Sequence, residues 1–218
     1  MIPFKLILLC SYSIAIAAVF GLIRFRHIHR TYQPFIFITL AALTNEIVST
    51  LLIMSDRSNA ISTNILNLTE CALWLLQIKK WGGFRHRKWE FPVLFSILAT
   101  IWIAENIIMG KIIIFSSVFA IVSAFILVFL VINQVNRLIV EERTNLLRNS
   151  KFLICVGAIL FYTYRIMVES FYVLKLDQSD NFLLNIFGIL VFVNLFVNLL
   201  FALAILWIPT RQRFSLPS

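Results

Sequence analysis

Five ionisable side chains lie inside apolar segments that are long enough to cross a lipid bilayer. They are Glu46, Glu70, Glu105, Arg165 and Glu169. A charge near the middle of a bilayer costs about 3 kcal/mol or more unless it is paired or hydrated, so such side chains usually face the interior of a helix bundle. There they bind ions, relay protons or form ion pairs. The set therefore predicts a polar pocket inside a bundle of membrane helices.

The spacing of the polar residues predicts that they converge. Around Glu70, polar and aromatic residues recur at intervals of three and four, which places them on one face of a helix. This stripe consists of Thr63, Asn67, Glu70, Trp74 and Gln77. The predicted ligand-binding site comprises Glu46, Asn67, Glu70, Tyr162, Arg165 and Glu169, and the predicted inward path comprises Asn194 and Asn198.

The predicted pocket carries more negative than positive charge. Glu46, Glu70, Glu105 and Glu169 face a single arginine, Arg165, so pairing within the set cannot neutralise all of them. Either some carboxyls are protonated, or water, protons or a cationic group occupy the pocket. The alternative is a purely structural role, in which Glu70 pairs with Arg165 and the asparagines bond across helices.

The composition indicates a multi-pass membrane protein. Of the 218 residues, 61% are hydrophobic and 13% are charged, whereas soluble proteins have about 25% charged residues. The mean hydropathy is +0.93. The net charge of +9 comes from basic clusters between apolar segments, which is typical of cytoplasmic loops and not of nucleic-acid binding. The expected partner along most of the surface is the lipid bilayer.

Seven apolar segments of about 20 residues each predict seven transmembrane helices in one all-α domain, residues 1–218, with no soluble domain. The predicted helices cover residues 4–23, 32–54, 60–78, 91–109, 112–133, 152–174 and 182–208. Fourteen Lys and Arg residues fall on one side of this arrangement and four on the other. The positive-inside rule then places the N-terminus outside and the C-terminus in the cytoplasm. The expected location is the plasma (inner) membrane.

Catalytic, metal and cofactor motifs are absent from the sequence. No Asp lies in an apolar segment, so an intramembrane aspartyl pair is excluded, and no G-x-S-x-G, P-loop or G-x-G-x-x-G motif occurs. The three histidines, His27, His29 and His86, lie in basic loops where neighbouring arginines disfavour a metal cation. We therefore expect no catalytic residue, no metal site and no cofactor.

Three resemblances bear on the fold. The seven-span, outside-to-inside layout resembles that of rhodopsins and heptahelical receptors, although the last segment has no lysine for a retinal Schiff base. The arrangement of three, one and three segments is similar to small sugar transporters of the PQ-loop kind. The stretches NRLIVEERTNLLRNSKFLIC and LWIPTRQRFSLPS resemble an uncharacterised family of bacterial seven-span integral membrane proteins, which implies a fold but no known activity.

The polar pocket without an output domain predicts a non-enzymatic, receptor-like sensor. A small, amine-bearing ligand would bind in the outer half of the bundle, and a cytoplasmic signalling partner would contact the basic inner loops. A small solute transporter or proton-coupled carrier that uses the same residues is the alternative. An intramembrane enzyme that acts on lipid, with a glutamate as general base, is a third reading.

Overall fold

The computed structural model describes residues 4–85, 87–141, 146–174 and 180–210. These residues are almost entirely helical, and the extended pairing found among them is an isolated bridge between Ile28 and Thr210. The α-helices are α1 Phe4–Ser11, α2 Ile14–Arg24, α3 Gln33–Met54, α4 Ala60–Lys80, α5 Glu90–Ile103, α6 Ser117–Glu141, α7 Ser150–Leu174 and α8 Asp180–Trp207. A π-helical turn, Ala104–Ile108, extends α5. The all-α prediction is confirmed over the described ranges.

Six helical stretches are long and apolar enough to cross a membrane. They are Leu6–Arg24, Arg30–Met54, Glu90–Ile108, Ser117–Val140, Ser150–Phe171 and Gly188–Trp207. The chain is therefore a multi-pass membrane protein, as the composition predicted. Helix α4 is long enough to cross, but its polar stripe makes it less apolar than the six others.

The helices form a bundle in which sequence neighbours pack side by side. α3 packs against α4, α6 against α7 and α7 against α8, while α2 lies between α3 and α8. Trp74, Phe35 and Ile205 are among the largest fully buried side chains where these helices meet. Large apolar residues such as Phe125 and Phe129 on α6 are exposed, as expected of a surface that faces lipid.

Gln77 joins the end of α4 to the start of α3. The first N–H groups of any helix lack a partner inside the helix, and Gln77 Oε1 accepts the Phe35 N–H at 2.8 Å. Its Nε2 donates to the Thr31 carbonyl at 2.7 Å. Pro34 has no N–H to satisfy, so this one amide, which is 0% exposed, completes the turn and aligns α3 and α4 antiparallel.

Arg24 joins the end of α2 to the end of α8. Its guanidinium donates to the carbonyls of Ile205 and Leu206 in the last turn of α8 and of Ile208, the first residue after it. The last carbonyls of a helix lack the N–H partners that they would have inside it. A cation at a helix C-terminus is also favoured by the helix dipole. The backbone N–H of His29 adds a bond to the Pro209 carbonyl at 3.3 Å.

The predicted start of the fifth span at residue 112 was wrong, since α6 begins at Ser117. Asn64 on α4 holds the preceding segment out of the helix. Its Nδ2 donates to the carbonyls of Ile112 and Ile114 at 3.1 and 2.8 Å, and its Oδ1 accepts the Ser116 N–H at 3.0 Å. These bonds use backbone groups that a longer helix would need for itself. At the other end, α6 continues to Glu141, beyond the predicted end of the membrane span at residue 133.

Replacing Gln77 by Leu should lower the free energy of unfolding by about 1–3 kcal/mol, because the Phe35 N–H and the Thr31 carbonyl would be left buried without partners. Thermal unfolding in detergent measures the change. Thr69→Val is the matched control on the same helix, because Thr69 is exposed and bonds only to the Ile65 carbonyl of its own helix. Equal melting temperatures for the two variants would contradict this role.

Candidate functional site

A cavity of about 190 Å³ lies between α1, α2, α3, α4, α7 and α8. It brings together most of the residues that the sequence analysis selected as a site. Glu46, Asn67, Glu70, Tyr162, Arg165, Asn194 and Asn198 all line it. Glu169 is partly buried on α7 but is not part of the lining. That these residues bind a ligand stays a prediction.

Helical spacing explains why the lining residues share one space. Asn67, Glu70 and Trp74 are three and four residues apart on α4, so their side chains project from one face. Tyr162 and Arg165 are three residues apart on α7 and have the same relation. Two helices thus present their polar faces to each other across the cavity.

Arg165 bridges α7 and α4 across this space. Its Nη2 donates to Asn67 Oδ1 at 2.7 Å, while its Nη1 lies 3.9 Å from Glu70 Oε2. The side chains of Arg165 and Glu70 are 16% and 13% exposed. The short bond therefore goes to the neutral amide, and the ion pair with Glu70 is a longer, looser contact.

Because of Glu46, the cavity contains one more carboxylate than it has cationic groups. It projects from α3 into the lining, and within the described part of the chain its carboxylate has neither a hydrogen bond nor an ion pair. The cavity therefore contains two carboxyl groups, those of Glu46 and Glu70, and one guanidinium, that of Arg165. If both carboxyls are ionised, the lining carries one net negative charge.

Aromatic rings close one end of the cavity. Trp74 packs edge to face on Tyr162 and on Phe35, with centroids 6.2 and 6.1 Å apart, and Phe35 packs on Phe201 at 5.1 Å. Gly157 on α7 makes room for this cluster, because a Cβ there would lie 2.6 Å from the Phe201 ring. These rings separate the cavity from the end of the bundle that Gln77 closes.

Two donors on these rings are not satisfied. Trp74 Nε1 is buried without a hydrogen-bond partner among the described residues. The Tyr162 hydroxyl is also buried and lies beside the Glu70 carboxylate, but it forms no hydrogen bond of good geometry there. Buried polar groups are nearly always paired, but Ser49 Oγ, Trp81 Nε1 and Gln134 Oε1 are also buried without a partner in the described part of the chain, so this feature is not confined to the cavity.

Asn198 has a structural bond in addition to its place in the lining. Its Nδ2 donates to Ser13 Oγ at 2.9 Å, and Ser13 in turn donates to the Cys10 carbonyl at the break between α1 and α2. Within the same break, the hydroxyl of Tyr12 donates to Thr50 Oγ1 on α3 at 3.1 Å. Asn198, one of the two residues of the predicted inward path, is therefore hydrogen-bonded to the segment between α1 and α2.

Glu105 lies away from the cavity and acts as a helix cap. It is 5% exposed, and its carboxylate accepts the N–H groups of Val118 at 3.2 Å and Phe119 at 2.7 Å. A carboxylate at a helix N-terminus is stabilised by the free N–H groups and by the helix dipole. One of the five ionisable residues selected from the sequence thus has its own backbone partners on α6.

Sequence reasoning missed Phe201, Phe161 and Ser11 as lining residues. The sequence could have indicated Phe201, because this residue lies three positions after Asn198 and so shares the face of α8 that carries the asparagines. Nothing in the sequence indicated Ser11, because its position depends on the break between α1 and α2.

Comparisons with known proteins identified no match to this chain. No protein family, no curated protein and no solved structure matches this chain. The geometry of the cavity and the chemistry of its side chains therefore carry the functional proposal.

Replacing Arg165 by Met should destabilise the fold more than replacing Glu70 by Gln. The first change leaves Asn67 Oδ1 without its donor and Glu70 without its ion-pair partner, at a cost of about 1–3 kcal/mol, whereas the second leaves the bond between Arg165 and Asn67 intact. Thermal unfolding in detergent measures both. The Arg165→Met change should cost less in a Glu70→Gln background, and additive effects would show that the two side chains are not coupled.

Proposed function

We propose that this protein is a receptor-like sensor that binds a small, amine-bearing ligand in the cavity and acts through a cytoplasmic partner. The observation that carries the proposal is the combination of two carboxyl groups and one guanidinium in a small cavity with aromatic walls. The chain would cross the membrane seven times, with the cavity in the extracytoplasmic half.

The size of the cavity supports a small ligand. A water molecule takes up about 30 Å³ in the liquid, and an apolar protein cavity of about 150 Å³ is known to hold benzene. A space of about 190 Å³ therefore suits several waters or one organic molecule of about ten non-hydrogen atoms or fewer. It is below the range of about 300–1,000 Å³ that is typical of pockets for drug-sized molecules.

The charge of the lining supports a cation. An ammonium group placed between Glu46 and Glu70 would neutralise the excess carboxylate, and at about 4 Å such a contact contributes about 4 kcal/mol before the cost of removing water. The faces of Trp74 and Tyr162 favour an ammonium as well, through cation–π attraction. A carboxylate-bearing ligand without an amine would add to the negative charge.

The aromatic end of the cavity supports sensing over transport. Phe35, Trp74 and Phe201 fill the space between the cavity and the Gln77 end of the bundle. A ligand that binds from one side would press on these rings and so shift α4 and α8. The transporter alternative is supported by Asn194 and Asn198, which extend the polar lining along α8, but it requires the rings to part.

The basic loops are the proposed contact for the partner. Arg26, Arg30, Arg85 and Arg87 are exposed in the connections that follow α2 and α4. Their charge suits a partner with an acidic surface. Arg143, Arg211 and Arg213, which belong to the fourteen basic residues predicted on this side, lie outside the described residues, as does His86.

The topology is tested by labelling with a membrane-impermeant maleimide. If α4 crosses the membrane, Arg57→Cys and Lys88→Cys lie on opposite sides, because both residues are exposed in the connections that flank α4. The Arg57→Cys protein should label in intact cells and the Lys88→Cys protein only after permeabilisation. Equal labelling of the two in intact cells would support six crossings and overturn the proposed orientation of the site.

Ligand binding is tested with the purified protein and primary amines of two to six carbon atoms. These amines should raise the melting temperature, and Glu46→Gln and Glu70→Gln should each weaken binding about tenfold, which is about 1.4 kcal/mol. Glu169→Gln is the matched control, because Glu169 lies outside the lining. Wild-type affinity in both cavity variants would refute the proposal.

The same amines separate a sensor from a transporter. In proteoliposomes that contain only this chain, a transporter accumulates or exchanges a radiolabelled amine, whereas a sensor binds it without moving it. Uptake that Glu70→Gln abolishes and Glu169→Gln leaves unchanged would favour the transporter.

A further inference from the structure

We infer that Arg30, Lys80 and Lys151 form a binding site for the headgroup of an anionic phospholipid, at the end of the bundle where α4 ends and α3 and α7 begin. The inference is independent of the proposed ligand, because none of the three residues lines the cavity. Of the three, Arg30 also belongs to the proposed contact for the cytoplasmic partner. The inference comes from cations of three separate segments that meet at one pair of aromatic rings.

A hydrogen bond holds the ammonium group of Lys80 beside Arg30. Lys80 Nζ donates to the backbone carbonyl of Arg30 at 3.2 Å, so the end of α4 and the connection before α3 bring two cationic residues together. Both side chains are exposed, and neither forms an ion pair within the described part of the chain. Because like charges repel, an anion that contacts both residues is favoured at this place.

An aromatic pair brings the third cation to the same place. Trp81 follows Lys80 directly, and its ring packs edge to face on Tyr32, with centroids 5.9 Å apart. Lys151 Nζ lies 5.4 Å from the centroid of the Trp81 ring. Ser150, the neighbour of Lys151, donates through its Oγ to the Tyr32 hydroxyl at 3.3 Å. The connection before α3, the end of α4 and the start of α7 therefore meet at these two rings.

The position of these residues along the helices corresponds to the level of the lipid headgroups. Two of the stretches that can cross a membrane begin at Arg30 and at Ser150. Tyr and Trp side chains, such as Tyr32 and Trp81, are enriched at the boundary between the hydrocarbon and the headgroups. Basic pockets between membrane helices bind anionic headgroups at this level, so the anion available to the three cations is the phosphate of a lipid.

The outward face of α4 favours a lipid over a soluble anion. Leu76 lies four residues before Lys80, so the two side chains share one face of the helix, and Leu76 is exposed. Thr69 and Ile65 continue this face at helical spacing and are exposed as well. A phospholipid whose phosphate lies at Lys80 can therefore place an acyl chain along the same helix. A free phosphate ion or an acidic peptide would use the charges alone.

The test measures lipid binding to the purified, detergent-solubilised protein by native mass spectrometry. The probes are dioleoylphosphatidylglycerol and dioleoylphosphatidylcholine, which have the same acyl chains and differ in the net charge of the headgroup. We expect the anionic lipid to bind about tenfold more tightly or better, because several cations contact its headgroup. Equal affinities for the two lipids would overturn the inference. Displacement of the anionic lipid by inorganic phosphate would assign the site to a soluble anion and overturn it as well.

Single variants assign this preference to the three cations. Arg30→Gln, Lys80→Gln and Lys151→Gln each remove one positive charge, so each should weaken binding of the anionic lipid about fivefold. Lys88→Gln is the matched control at the same end of the bundle, because Lys88 is an exposed cation in the connection after α4. Arg57→Gln is the control at the opposite end of α4. Both controls should keep the wild-type affinity.

The outcomes distinguish a defined site from a general attraction between a basic surface and anionic lipid. If Lys88→Gln weakens binding as much as Lys80→Gln does, the attraction is general and the inferred site is overturned. Melting temperatures without added lipid show whether each variant is folded. Arg30→Gln decides the matter if another variant unfolds, because it keeps the backbone carbonyl to which Lys80 donates. Amine binding in the cavity is measured separately, so failure of the lipid site leaves the proposed ligand site standing.

Discussion

Backbone and side-chain polar groups in a membrane bundle have to find partners within the protein, because lipid offers none. At the ends and breaks of the helices this chain meets that constraint with side chains from distant helices. Gln77 bonds to the first turn of α3, Glu105 to that of α6, and Arg24 to the last turn of α8. These bonds set the relative positions of the helices, and the packing of the core follows from them.

At the cavity this constraint is met only in part, as it is at the buried side chains of Ser49, Trp81 and Gln134 elsewhere in the described bundle. Arg165 and Asn67 satisfy each other, but Glu46, Trp74 and Tyr162 keep polar atoms without a good partner in the part of the chain described. Partial satisfaction costs stability, and such costs are tolerated where a site has to receive something.

Close packing determines where the cavity ends. Phe201 fits against α7 only because residue 157 is glycine, and its ring in turn supports Phe35 and, through it, Trp74. A dense aromatic layer has few alternative arrangements. In the proposed sensing role, a ligand in the cavity would act on α4 and α8 by moving these packed rings.

Hydropathy and periodicity are properties of neighbouring residues, so the sequence by itself determined most of the helices, most of their bounds and the polar face of α4, but not the break between α1 and α2 within the predicted helix 4–23. It also determined which residues share a face, as Asn67, Glu70 and Trp74 do. It could not distinguish Gln77 from Glu70 on that same stripe, because the group that Gln77 caps lies 42 residues away in the chain. Likewise the start of α6 depended on Asn64, which lies 52 residues from Ser116. Tertiary packing decided which polar side chains became helix caps and which were left facing a cavity, since only the folded bundle brings the distant backbone groups within bonding distance.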